Sequence, residues 1–183
     1  MTRPIQLPLR DDDLVLRWLE VEDAAFVQGS RTHPIAERYN GWRPPTVAEV
    51  EELARTQHRG APGAEDGVRQ LVIEHQGRPV GDFGVQVHDP GRQVELGIVV
   101  HPDFQGRRLA SRACRLLIGA LFGSGIHRVI ARVDPRNAPS LRLFERLGFR
   151  REGLELECWY DPKFEEWTDE VLFAVLRREW STA

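Results

Sequence analysis

Two stretches of this chain hold residue types that can do chemistry. The first is Val94 to Ala110, VELGIVVHPDFQGRRLA, in which an apolar run leads into a turn at Gln105-Gly106-Arg107-Arg108 and a helical pattern opens behind it. A helix start presents backbone N–H groups with no intrahelical acceptor, and its dipole favours an anion. Two arginines add charge-assisted hydrogen bonds, so the turn is suited to holding phosphates. The second stretch carries Glu155, Glu157, Asp161, Glu165, Glu166, Asp169 and Glu170 against Lys163 alone. Such a run either attracts a cation or forms a solvated face.

The surrounding sequence predicts the elements that position these residues. Leu14 to Leu19 reads as a strand, and Glu22-Asp23 opens a short helix to about Gly29. Residues 30–45, with Pro34, Gly41, Pro44 and Pro45, read as irregular. Thr46-Val47-Ala48-Glu49 is a capping box for a helix to about His58, with Val50, Leu53 and Ala54 inward. Gly60 to Gly67 is a turn-rich loop. Strands over 68–75, 80–87 and 93–100 form an antiparallel meander. A helix from Arg107 to Phe122 places Leu109, Ala113, Leu116, Leu117, Ala120 and Leu121 on one face and ends at Gly123-Ser124-Gly125. A strand at 128–133, a helix over about 138–147 and strands at 149–159 and 167–175 complete the chain. The sum is an α/β fold. A central mixed, mostly antiparallel sheet of about seven strands has helices on both faces, in one domain over 1–183 with residues 1–12 as a loose leader.

Composition narrows the partners. Acidic residues outnumber basic ones by 28 to 25, a net charge of −3, which argues against nucleic acid or an anionic membrane. Two cysteines, Cys114 and Cys158, cannot build a disulfide framework, and packing roles in a reducing cytoplasm are expected. The start, MTRPIQLPLRDDD, lacks the apolar core of a signal peptide. No run of about 18 apolar residues is present. The six histidines show no metal-ligand spacing, so no metal is predicted. Neither a Ser/His/Asp nor a Cys/His arrangement suggests a covalent route. The Gly-x-x-x-x-Gly-Lys-Ser/Thr spacing of a nucleotide P-loop is also lacking.

A third segment, Asp134 to Phe149 (DPRNAPSLRLFERLGF), gives the first its context. Together they resemble the GNAT superfamily of acetyl-CoA-dependent N-acetyltransferases. That family has a Gln/Arg-x-x-Gly-x-Gly/Ala pyrophosphate loop, a later Asn, a short helix and a Gly-Phe ending. The continuation Arg150-Arg151-Glu152-Gly153 resembles the branch of ribosomal-protein alanine acetyltransferases of the RimJ/RimL type. The resemblance covers nearly the whole chain and is strongest over residues 94–153.

It implies direct attack of an amine on acetyl-CoA in a ternary complex. Backbone groups of Ile98, Val99 and Val100, on a strand splayed from its neighbour, would follow the pantetheine arm, and Val99 or Val100 would polarise the thioester carbonyl. Gln105, Gly106, Arg107, Arg108, Leu109, Ala110 and Ser111 would wrap the pyrophosphate, although Arg108 stands where the family usually has glycine. Glu95 occupies the position of a catalytic base, with Glu157 and Asp82 as lesser candidates. Phe144 takes the place of a tyrosine acid and cannot donate a proton. Ser140 is the nearest hydroxyl, as acid or as helix cap. Asn137 would meet the pantetheine amide or cap the helix. Trp42 and Trp159 would line an acceptor pocket, Trp18 and Trp180 would be structural, and His101 would sit in a solvated turn. The acceptor would be a protein N-terminus or a small amine such as an antibiotic, polyamine or amino acid. A non-catalytic acyl-CoA-binding module is the alternative reading, and a homodimer is compatible with the family.

Overall fold

Strand-forming alternation through the middle of the chain produces one eight-stranded sheet. The computed structural model describes residues 5–39, 43–57, 67–89 and 91–180. Its strands are β1 (Leu9–Asp11), β2 (Leu14–Trp18), β3 (Gly67–His75), β4 (Arg78–Asp89), β5 (Gln93–Val100), β6 (Arg128–Val133), β7 (Arg150–Asp161) and β8 (Glu166–Leu176). They lie in the order β1-β2-β3-β4-β5-β6-β8-β7. Every neighbouring pair is antiparallel except β5–β6. The strand beyond the expected seven is β1, which corrects the reading of residues 1–12 as a loose leader. Three residues carry too little alternation to announce a strand, and pairing with Leu14–Leu16 is what makes it one.

The helices are α1 (Ala24–Thr32), α2 (Pro34–Glu37), α3 (Val47–Thr56), α4 (Leu109–Ser124) and α5 (Ala138–Arg146). The capping box at the start of α3 is present. The Thr46 Oγ1 accepts from the Glu49 N–H at 3.2 Å, and the Glu49 carboxylate accepts from the Thr46 N–H at 2.7 Å. The Arg43 guanidinium, with help from the Thr46 N–H and the Thr46 hydroxyl, which both donate to the carboxylate, holds the Glu49 carboxyl down at about 2. The expected irregular stretch is partly helical. α1 continues to Thr32, and Pro34 starts α2, since a proline at a first helical position has no N–H to leave unpaired.

The helices divide between the two faces of the sheet. α4 and α5 cover one face through Leu109, Ala113, Leu117, Leu121, Leu143 and Phe144, packed on Leu71, Phe83, Val94, Leu96 and Val129. Each of these large side chains stabilises the fold by about 1.5–3 kcal/mol through burial. α1 and α3 cover part of the other face through Val27, Val50 and Ala54, together with Leu19 and Val72. Among the described residues, that second cluster draws on the sheet at Val72 of β3 alone. Alternation along β5 buries Val94 and Leu96 on the α4 side and turns Glu95, Gly97 and Val99 to the other.

Candidate active site

The parallel pair β5–β6 is short. Gln93–Glu95 pair with Arg128–Ile130, and there the register ends. β4 stays paired with β5 as far as Val100, and β6 turns to β8 on its other side. Past Glu95, β5 therefore has backbone groups on its β6 side with no strand to take them. This is the splay that the resemblance implies. A cleft of ≈ 960 Å³ opens there.

One wall of the cleft is built from backbone and small groups: Leu96, Gly97, Ile98 and Val99 of β5, with Asn137, Ser140 and Phe144 of α5. A Cβ added at Gly97 would meet nothing within 4 Å, so the strand is open to an approaching chain. On its other edge β5 is closely held: a Cβ at Gly81 of β4 would lie 2.4 Å from the Val99 carbonyl oxygen. Asn137 caps α5, its Oδ1 accepting from the Ser140 N–H at 3.2 Å. The Ser140 hydroxyl takes no part in this cap and has no hydrogen-bond partner among the described residues. Phe144 reaches the cleft but is buried between Phe149 and Phe173, with ring centroids 5.1 and 5.8 Å away.

The turn after β5 leads into α4 through a left-handed residue. Arg108 adopts a left-handed conformation (φ 61°, ψ 10°) at the start of α4, where the family pattern has glycine. No side chain caps α4 and no acid stands in its first turn, leaving the N–H groups of that turn without acceptors among the described residues. Gly106 also has positive φ, and Gln105 Nε2 ties the turn back to the Val100 carbonyl at 3.0 Å. Val100 ends the splayed strand and Gln105 through Ser111 follow it after a short turn, but none of them lines the cleft itself. The helix begins at Leu109, two residues later than expected, because the left-handed Arg108 cannot be its first residue.

The opposite wall is charged. Arg132 of β6 donates from Nη1 to Glu95 Oε2 at 2.5 Å and from Nε to Glu155 Oε2 at 2.7 Å. His88 Nε2 also lies 2.6 Å from Glu95 Oε2. Glu170 completes the group. Burial, and then the neighbouring Glu95 and Glu155 charges, push its carboxyl above the usual range. Glu155, Cys158 and Glu170 bring donor atoms within 4.8 Å of one another. Cys158 does not have the packing role expected of it. It is exposed on the cleft wall, and burial together with Glu170 and Glu155 raises its thiol. Asp82 is fully buried at the cleft's edge, where Arg31 and Gln70 each donate to Oδ1 at 2.5 Å, while Oδ2 has no hydrogen-bond partner among the described residues.

Of the remaining candidates, Trp159 lines the cleft and Trp18 and Trp180 pack against the core. Trp42 lies outside the described residues, as does the loop expected at Gly60 to Gly67 apart from its last residue. Glu157 sits outside the cleft at a bulge, and His101 is half-buried among Phe26, His33 and Phe104 rather than in a solvated turn. Among the described residues, no helix is long and apolar enough to cross a membrane.

The comparisons agree with this geometry. The family model for the acetyltransferase (GNAT) domain matches residues 13–150, and the chain belongs to that family. Acetyl-CoA is the family's acetyl donor. An uncharacterised N-acetyltransferase of Bacillus subtilis is 39% identical over 88 residues, which span 48% of this chain and 51% of the relative. The chain thus matches about half the length of that relative. The spermidine N(1)-acetyltransferase of Escherichia coli is 27% identical over 140 residues, 75% of this chain and 73% of that one. The fold is shared with the spermidine N-acetyltransferase of Vibrio cholerae, solved with CoA and spermine. That structure has a TM-score of 0.78 and 22% identity, over 92% of this chain and 98% of the other.

Proposed function

We propose that the protein transfers the acetyl group of acetyl-CoA to a small cationic amine. The observation that carries this reading is the cleft itself, with splayed backbone on one side and Glu95, Glu155 and Glu170 on the other. Bound acetyl-CoA supplies an activated acetyl thioester. Unpaired β5 backbone receives its amide-rich arm much as an added strand would be received. The turn Gln105 to Ser111 takes the phosphates through helix N–H groups and the two arginines. The Val100 N–H, on the edge of β5 turned away from β4, polarises the thioester carbonyl, Asn137 Nδ2 donates to the arm, and the Ser140 hydroxyl protonates the departing sulfur. The carboxylates of Glu95, Glu155 and Glu170 attract the ammonium form of the acceptor.

Two relatives are named for spermidine, which supports a polyamine-like acceptor. A protein N-terminus, as in the RimJ/RimL-like branch, is the second reading. It is favoured by Trp159 on the cleft wall and by the exposed Tyr160 and Trp167 beside it. The same apolar β7–β8 surface, with Leu156 and Phe164, suits a homodimer contact, which sedimentation at two protein concentrations would detect. The reading as an acetyltransferase is tested by thiol release from acetyl-CoA with spermidine, amino acids and short peptides as acceptors. Turnover with spermidine supports the first reading and turnover with peptides the second. Absence of acetyl-CoA binding in calorimetry, with no turnover on any acceptor, would overturn both.

A further inference from the structure

Resting on the reading as an acetyltransferase, we infer that Glu170, not Glu95, is the carboxylate that takes the proton from the acceptor ammonium. The argument starts from how Arg132 distributes its hydrogen bonds. Its guanidinium bridges two carboxylates, Glu95 and Glu155, which stand on β5 and β7 on either side of it. His88 adds a second donor to the same Glu95 oxygen. Glu95 is thus held as one half of an ion pair, with the same oxygen already engaged by both Arg132 and His88.

Glu170 stands beside this bridge without sharing it. It is the cross-strand partner of Glu155, half-buried, and lines the cleft. Among the described residues its carboxylate has no salt bridge, and its one hydrogen-bond contact is the weak donor Cys158 Sγ at 3.9 Å. The groups that face it are Glu95 from β5, Arg132 and Asp134 from β6 and the turn after it, and Glu155 and Cys158 from β7. One guanidinium among three glutamates leaves the group with an excess of negative charge. The ammonium of an acceptor relieves that excess on arrival, and so does a proton left on Glu170. Burial and the like charges raise its carboxyl, which brings it closer to the range where a general base works best near neutral pH.

The proton step then balances. An N–H bond of the ammonium breaks, an O–H bond forms on Glu170, and the nitrogen lone pair is freed to bond the acetyl carbon as the C–S bond breaks. The nitrogen loses a second proton to Ser140 Oγ, which gives its own to the leaving sulfur. The proton on Glu170 returns to solvent when the products leave.

The test compares Glu170→Gln, Glu170→Asp and Glu95→Gln, with spermidine as acceptor and kcat/KM followed from pH 5 to 9. A general base contributes on the order of 10²–10⁴-fold, so Glu170→Gln is expected to lose at least about 10². It should also lose the acid limb of the profile, which Glu170→Asp partly restores. Glu95→Gln lowers the rate but keeps the limb. Acetyl-CoA affinity, read by calorimetry, stays within about twofold in Glu170→Gln, which separates the proton role from loss of the cofactor site or the fold. A limb retained in Glu170→Gln assigns the titration to another group and overturns the inference. A second measurement does not depend on the acceptor. Difference infrared spectra along an acid titration should show a protonated carboxyl band that forms ahead of the other carboxyls, which Glu170→Gln removes and Glu95→Gln leaves. A band that survives Glu170→Gln also overturns the inference. Wild-type protein that binds no acetyl-CoA but shows this band would instead sink the acetyltransferase reading alone.

Discussion

The two walls of the cleft are made by different means. The wall of β5 and α5 presents backbone, held open by the early end of the β5–β6 ladder. The wall of β6, β7 and β8 presents charged side chains, arranged around Arg132. The first needs only that a strand stop pairing at the right place. The second needs particular residues at particular register positions. Substitutions should therefore act on the two walls in different ways.

The sharpest break is expected from Ser140→Ala. Because Asn137 supplies the cap of α5, the serine can be removed without uncapping the helix. The expected result is a loss in kcat on the order of 10² with acetyl-CoA affinity nearly unchanged, measured by steady-state kinetics and calorimetry. Next is Gly81→Ala on the backbone wall. Its Cβ would press on the Val99 carbonyl, the Val100 Cα and Ile73. A stability loss of about 1–3 kcal/mol is expected in urea unfolding, together with weaker acetyl-CoA binding. On the charged wall, Glu155→Gln should raise the KM for spermidine roughly three- to tenfold, an effect that shrinks as salt rises, and leave the KM for acetyl-CoA in place. An equal rise in both KM values would erase the distinction between the walls. The smallest effect is reserved for Arg108→Gly. Relief of a left-handed non-glycine residue, offset by a more flexible unfolded chain, should raise stability by about 0.5 kcal/mol. Acetyl-CoA affinity should move the other way as the arginine's charge is lost.

The backbone wall was legible in the sequence only through resemblance. The strand, the turn and the capped helix are visible in Val94 to Phe149, and β6 occupies the predicted 128–133. No residue type marks the place where two strands part, because parting is a relation between strands. The charged wall was visible as a run of seven acids, but which of them turn inward was not. Between Glu155 and Trp159, β7 advances four residues while β8 advances two, from Glu170 to Thr168. This bulge breaks the alternation that would have put Glu157 on the same side as Glu155. Glu155, Asp161, Asp169 and Glu170 line the cleft, while Glu166 pairs with Arg136. Arg132 gave no sign of its role, since its two partners come from β5 and β7, 37 and 23 residues away. The strand β1 was missed for a simpler reason, its length.

The early end of the β5–β6 ladder has one more consequence, for how such a protein can change over generations. A binding surface of peptide groups is the same whatever side chains the strand carries, so drift along β5 leaves the acetyl donor in its seat. The strand β7 lies at the far edge of the sheet and is exposed over most of its length. It can be rewritten one residue at a time, with little penalty to the core. A lineage built on this plan can exchange one acceptor for another while keeping the same reaction.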